Sequence, residues 1–269
     1  MRAAVAGDWR GNNVWALAAI DAAHEAGCRV LLHTGDLGVG MPNRRPYEQE
    51  LEARLAERGM MLYFVRGNHD SHDAVHLLPR DDDGCRILSG HVRMLEGWMR
   101  LTDGGESITL AGLGGASSSD RLQRTRIEKA NHVPRTLFWP EEVVSRFTVR
   151  CFLEKDTPRR FDIFLSHDGP IEAYREGKLG FRESRDPFYQ PSAEGDAIEI
   201  SMARRRLMPV AHFFGHHHKR MSLWDGQSDH TELLECLGAD GAPGNLVCYD
   251  TLSQRITELD VEVADDDRG

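Results

Sequence analysis

A chain of 269 residues with 40% hydrophobic and 28% charged side chains is long enough to bury a real core, and its composition argues against disorder. A net charge of -10 speaks against a general nucleic-acid or anionic-membrane surface, although a local basic cleft can still attract phosphate. Five scattered cysteines without a C-x-x-C pair argue against a disulfide framework or a cysteine zinc knuckle. With no apolar leader and no run of roughly 18 apolar residues, the expectation is a soluble, cytoplasmic protein with no membrane partner.

Taken in chain order, a first short strand at residues 3–6 runs into Gly7-Asp8. Residues 14–26 place Val14, Leu17, Ala18 and Ala22 on one face and predict a helix that Gly27 ends. A second strand at 29–33 leads into Gly35-Asp36, and a Gly/Pro/Asn loop at 38–45 follows. Tyr47, Leu51 and Leu55 then mark a helix closed by Gly59, and a third strand at 60–65 ends in Arg66-Gly67-Asn68-His69-Asp70. This β-α-β-α-β order predicts a mainly parallel sheet covered by helices.

From residue 86 to 113 short alternating runs predict antiparallel strands, and a polar segment at 114–136 reads as an irregular rim or lid. Pro140-Glu141-Glu142 predicts a helix start continuing to about residue 153. A fourth strand at 162–165 ends in Ser166-His167. An irregular, aromatic-containing segment at 169–195, a helix at 197–206 and a fifth strand then lead to Gly215-His216-His217-His218. Alternating runs at 221–224, 231–234, 246–249 and 256–261 predict another antiparallel group. The organisation expected is one domain over residues 1–262 with an acidic tail at 263–269.

Five short strands thus each end in Asp, Asn or His. In an open α/β sheet the residues just past the carboxyl ends of strands converge on one crevice, so five such endings predict one site. A lone Gly-Asp commonly caps a turn, and a lone histidine at a strand end is commonly structural. Asp8 and Asp36 on neighbouring strands, however, repel each other unless a cation lies between them. Together with Asn68, His167, His216 and His218 they form a nitrogen and oxygen donor set suited to Mn, Fe or Zn rather than Mg or Ca.

The series Gly7-Asp8-Trp9-Arg10, Gly35-Asp36, Gly67-Asn68-His69-Asp70, His167 and Gly215-His216-His217-His218 resembles the calcineurin-like metallophosphoesterases. Their motifs run G-D-x-H, G-D, G-N-H-[DE], a lone His and G-H-x-H. Gly114-Gly115-Ala116 and Trp139-Pro140-Glu141-Glu142 are similar to a bacterial or phage-type branch. The resemblance implies an α/β fold, a four-layer α/β/β/α sandwich of two mixed sheets flanked by helices. It implies hydrolysis of phosphomono- or phosphodiesters by in-line attack of an activated hydroxide at a dinuclear centre. The cofactors implied are two divalent metal ions, manganese first, with Fe, Zn or Ni as alternatives. Asp36 would bridge them, Asp8 and His218 would hold the first, and Asn68, His167 and His216 the second. His69 would stabilise the transition state or protonate the leaving oxygen, with Asp70 orienting it, and His217 would be structural.

One position departs from the pattern. Arg10 stands where the family has a histidine, and a guanidinium cannot donate a lone pair to a metal. Three outcomes are open: a water completes the first site, the site works with one metal, or it has lapsed. The preferred reading keeps a working enzyme with a weak first site and Arg10 turned toward substrate phosphate, where its planar fork is well matched. The alternative is a catalytically weakened binding or scaffold protein. Arg121 is a candidate phosphate contact, with Arg124 beside it, while Arg204-Arg205-Arg206 reads as the solvent face of a helix. Asn68 and Arg10 complete the expected substrate contacts. The partner expected is a small-molecule or nucleotide phosphoester, with nucleic acid less favoured and the oligomeric state open.

Overall fold

The computed structural model describes residues 1–263 except 42, 145, 154–156, 159, 176–178 and 226–231, so the acidic tail beyond residue 263 lies outside the described residues. Among the described residues thirteen strands form two sheets. The amino-terminal half lays down β1 (Arg2–Ala6), α1 (Asn13–Glu25), β2 (Val30–His33), α2 (Arg45–Arg58), β3 (Met61–Phe64), α3 (His72–His76), β4 (Arg86–Ile87) and β5 (Val92–Met94). Then come β6 (Gly97–Asp103), β7 (Glu106–Leu113), α4 (Arg121–Asn131), a 3-10 turn at Pro140–Glu142, α5 (Arg146–Leu153) and β8 (Phe161–Ser166). The remainder is α6 (Ile171–Arg175), α7 (Tyr189–Leu207), β9 (Pro209–Phe214), β10 (Met221–Asp225), β11 (Glu232–Cys236), β12 (Leu246–Asp250) and β13 (Arg255–Glu258).

One sheet orders its strands β13-β12-β1-β2-β3-β5-β4 and the other β10-β11-β9-β8-β7-β6. Both are mixed: β1, β2, β3 and β5 run parallel, as do β7, β8, β9 and β11, with antiparallel strands at the margins. The period-two alternation of side chains explains the layering. Ala3 and Val5 of β1 face the other sheet and pack with Leu165, Ala211 and Phe213. Ala4 and Ala6 point the opposite way, against Ala16, Ile20 and Leu51 of α1 and α2. On the far side, α5 and α7 cover Ala111, Phe161 and Phe164 with Val149, Ile200 and Leu207. The result is the α/β/β/α sandwich expected.

Several boundaries differ from the sequence reading. The polar segment at 114–136 contains α4, an eleven-residue helix whose apolar content is too low for periodicity to reveal it. The helix expected from Pro140 divides into the 3-10 turn and α5, because the Val144 N–H donates to Asp196 Oδ1 (2.9 Å) rather than to a preceding turn. α7 begins at Tyr189, eight residues before the predicted start, with Pro191 accommodated in its first turn. The two groups expected to be antiparallel each divide between the sheets: β5 pairs parallel with β3, and β11 parallel with β9, while β12 crosses back to lie beside β1. Arg204 is buried rather than on the solvent face, whereas Arg205 is exposed and pairs with Glu172.

Candidate metal centre

The five predicted strand endings converge where the carboxyl ends of β1, β2 and β3 meet those of β8 and β9. Asp8, Asp36 and His167 are all buried, and one donor atom from each lies within 4.8 Å of the others. Asn68 Oδ1 lies 3.0 Å from His167 Nε2 and 3.1 Å from His216 Nδ1, while His218 Nε2 lies 3.4 Å from Asp8 Oδ1. All six residues singled out as metal donors therefore occupy one place.

Their backbone is held under strain. Among the described residues ten non-glycine positions have positive φ, and five of them are Asp8, Arg10, Asp36, His216 and His218. Such conformations disfavour residues with a Cβ and persist only when surrounding contacts over-determine them. Here the Asp8 N–H donates to the Gly35 carbonyl, the Arg10 N–H to the Asp36 carbonyl, and the His216 N–H to Asp8 Oδ2 (3.0, 2.7 and 2.9 Å). Gly67 and Gly215 are required for close approach. A Cβ at Gly67 would strike Asp36, and one at Gly215 would strike the Asp8 carboxylate.

The donor set fits a cation on physical grounds. His167 Nδ1 faces the Thr34 carbonyl oxygen at 2.8 Å, which can only accept, so Nδ1 carries a proton and Nε2, when it carries none, presents a lone pair. That lone pair faces Asn68 Oδ1 and, at 3.3 Å, Asp36 Oδ1. The Asn68 amide is oriented the same way, because its Nδ2 donates to Ser118 Oγ (2.9 Å). Lone pairs aimed at one another repel unless a positive charge lies between them. On the other side of Asp36, Asp8 Oδ1 and His218 Nε2 are buried with no hydrogen-bond partner, a second unsatisfied pair.

Arg10 lies on Asp36, its Nε and Nη2 each 3.3 Å from Oδ2. It therefore neither points freely to solvent nor stands open to a phosphate, and an ion pair with the expected bridging carboxylate is its resting contact. The Asp36 carboxyl is destabilised by burial as a charged group, but His167, His69, Arg10 and the His69 N–H together hold its pKa far below the usual carboxylate range.

His69 sits at the edge of the centre, its Nε2 4.0 Å from Asp36 Oδ2 and 2.6 Å from Arg124 Nη2. A guanidinium can only donate, so Nε2 accepts and the ring is neutral. Burial pushes its pKa down to about 4; Asp36 opposes this and the Arg124 charge adds to it. Asp70 does not orient this ring through its carboxylate, which is taken up by the backbone N–H groups of Gly38, Val39 and Gly67. It joins two of the site loops instead. Arg121, foreseen as a phosphate contact, grips Asp186 through two hydrogen bonds (2.5 and 2.8 Å), with the Phe188 ring beneath it.

Several residues that brace the centre lie outside the five metal-donor motifs. Arg124, buried in α4, donates to the Asn68 carbonyl and to His69, and lies 3.7 Å from buried Glu142. Glu142 Oε1 accepts from the Ser118 N–H (3.0 Å) and so positions the hydroxyl that orients Asn68. Asp168 binds His217 Nε2 (3.0 Å) and the Tyr174 hydroxyl (2.6 Å), so His217 Nε2 is directed at Asp168. Tyr174 in turn stacks on Phe181, so these aromatics pack the rim. The sequence drew attention to Arg124 and to the segment of Glu142, but not to these roles; contacts from Arg124 or Ser118, more than 45 positions from Asn68, leave no spacing signal.

Comparison with known proteins follows the same line. The sequence profile of the calcineurin-like phosphoesterase family matches residues 1–220. No curated protein sequence matches. Among solved structures, TT1561 of Thermus thermophilus superposes with a TM-score of 0.54 at 14% identity, over 97% of this chain and 99% of that one. GAP50, described as the anchor in the inner membrane complex of Plasmodium, does so with a TM-score of 0.50 at 12% identity, over 97% and 89%. At such identities the likeness is one of fold. No helix among the described residues is long and apolar enough to cross a membrane.

Proposed function

The chain belongs to the calcineurin-like phosphoesterase family and is a metal-dependent hydrolase of phosphoester bonds; from that premise we propose that its centre holds two divalent cations of unequal affinity. Asn68, His167 and His216 hold the tighter one, Asp8 and His218 the weaker one, and Asp36 lies between. The observation that supports this most is the meeting of lone pairs from His167 Nε2, Asn68 Oδ1 and Asp36 Oδ1, which a cation would convert from repulsion to ligation. Such cations, when bound, lower the pKa of water and neutralise charge on phosphate oxygens. Manganese suits this donor mix, with iron, zinc or nickel as alternatives.

The chain's own residues set what enters. Arg10, His69 and His218 keep 33%, 27% and 27% of their side chains exposed, while Asp8, Asp36 and His167 are fully buried. These three groups mark the open side of the centre, and a phosphoester reaches it there. Arg10 exchanges its contact with Asp36 for the phosphate, which its fork matches as well as it matches a carboxylate. His69, its Nε2 occupied by Arg124, serves as a neutral hydrogen-bonding group beside the phosphate. The net charge of -10 favours a small-molecule or nucleotide ester over nucleic acid.

The test is hydrolysis of bis-p-nitrophenyl phosphate and p-nitrophenyl phosphate by metal-stripped protein titrated with manganese, beside Asp36→Ala, with bound metal counted in each. Metal-dependent turnover that the variant loses supports the reading, and the preferred ester separates diesterase from monoesterase. A second reading, a binding protein on the same fold, is favoured by the Arg10 ion pair, since a guanidinium already neutralises Asp36. Failure to hold metal at millimolar supply would put that reading in place of ours.

A further inference from the structure

A cavity of about 740 Å³, with none of the proposed metal donors in its lining, opens beside Arg66 between α3 and β4 on one flank and the 3-10 turn and α5 on the other. The Gly115 N–H donates to the Arg66 carbonyl (2.8 Å) and ties together the two segments that separate this cavity from the metal centre. Three guanidinium groups, from Arg66, Arg80 and Arg86, line it. Arg80 and Arg86 share Glu96 (2.6 and 3.3 Å), and the other acid of the lining, Glu141, is held by Arg135 from outside.

Arg66 is different. Its Nη2 donates to the Glu141 backbone carbonyl (3.2 Å), but its Nη1 is buried with no hydrogen-bond partner. Arg66 has no carboxylate partner among the described residues, and a guanidinium left so favours an anion beside it. The local field is positive: His72 is pushed down to about 4 by burial and by Arg66, and His76 is lowered by burial, with Arg86 and Arg66 adding to it. The remaining wall is apolar, from Met94, Leu113 and Val143 to Phe147, which is 76% exposed.

We propose that this cavity is a binding site, separate from the metal centre, for a small organic anion with a flat apolar body, anchored by Arg66 and covered by Phe147. A single charged oxygen group pairs with the Arg66 guanidinium, and the apolar wall selects against a bare inorganic ion. Pockets of this size commonly enclose a small ligand with a few convergent polar groups on an apolar lining.

Naphthalene-1-sulfonate, a poor metal ligand, is the probe, titrated calorimetrically into the full chain both as isolated and after chelation. The expected result is one saturable site per chain that survives chelation and prefers the sulfonate over neutral 1-naphthalenemethanol by about tenfold or more. Arg66→Met should weaken binding by a similar factor and Phe147→Ala by a smaller one. No saturable binding at millimolar probe, equal affinity for the neutral analogue, loss on chelation, or unchanged affinity in Arg66→Met would each overturn the proposal. Should Arg66→Met fail to fold, Val143→Trp fills the cavity from the other wall, and undiminished binding in that variant overturns it equally. Because the readout is binding in chelated protein, its failure is distinguishable from failure of the phosphoesterase reading.

Discussion

On one side of Asp36 two of the three donors are each braced by a neighbour that leaves one orientation. Thr34 fixes the tautomer of His167, and Ser118, itself held by Glu142, fixes the amide of Asn68. On the other side Asp8 is buried, but His218 is partly exposed, its Nε2 has no hydrogen-bond partner, and Arg10 occupies the flank of Asp36. The same kinds of motif residue therefore produce two different degrees of preorganisation. Affinity resides where surrounding contacts, rather than donor identity alone, hold the lone pairs in place.

The sharpest way to break this comparison is to remove one imidazole from each side. We expect His167→Ala to lose the tighter metal and to lower kcat/KM by roughly a thousandfold or more, since the remaining steps depend on that centre. His218→Ala should lose the weaker metal first and cost clearly less. Metal counts and rates that fall equally in the two variants would refute the asymmetry.

Next in size is the brace itself. Ser118→Ala frees the Asn68 amide to rotate, and metal affinity at the tighter site should fall about 10- to 100-fold while Asp8 and His218 are untouched. Calorimetric titration with manganese measures this. Unchanged affinity would mean that the amide is held by other contacts.

Arg10→His acts in the opposite direction. It removes a guanidinium from Asp36 and supplies a lone pair, so the weaker site should gain affinity, and metal content at a fixed manganese concentration should rise. If metal content and activity both stay flat, Arg10 does not set the difference between the two sides.

The smallest effect is a pH dependence of stability. Burial pushes the Glu142 carboxyl up to about 8, against the pull of Arg124 and the Ser118 N–H. Because its folded pKa lies above its unfolded value, its contribution to stability is complete below about pH 4.5 and is lost as the pH rises toward 8. Glu142→Gln should flatten that decline. Thermal melts between about pH 5 and 8.5 that keep the wild-type slope in the variant would show that Glu142 does not titrate in this window.

Periodicity and strand-end chemistry determined much of this protein without coordinates. The helix faces around Leu17 and Leu51 and five apolar runs each closing on Asp, Asn or His were enough to expect a helix-covered, mainly parallel sheet and one crevice, while the second sheet of the sandwich was implied by the family resemblance. These features are local: a side chain's face follows from its position in a strand or helix, and the donors lie within a few residues of the strand that carries them. Chemistry also showed that Arg10 cannot be a metal ligand. Tertiary structure alone decided what Arg10 does instead, because its contact with Asp36 crosses from one loop to the next. It alone assigned Arg121 to Asp186, turned Asp70 toward three backbone N–H groups, and brought Ser118, Arg124 and Glu142 behind Asn68. All but the Gly67–Asp70 contact join positions more than 20 residues apart in segments without periodicity, so a polar side chain there looks alike in sequence whether it faces water or braces a buried donor.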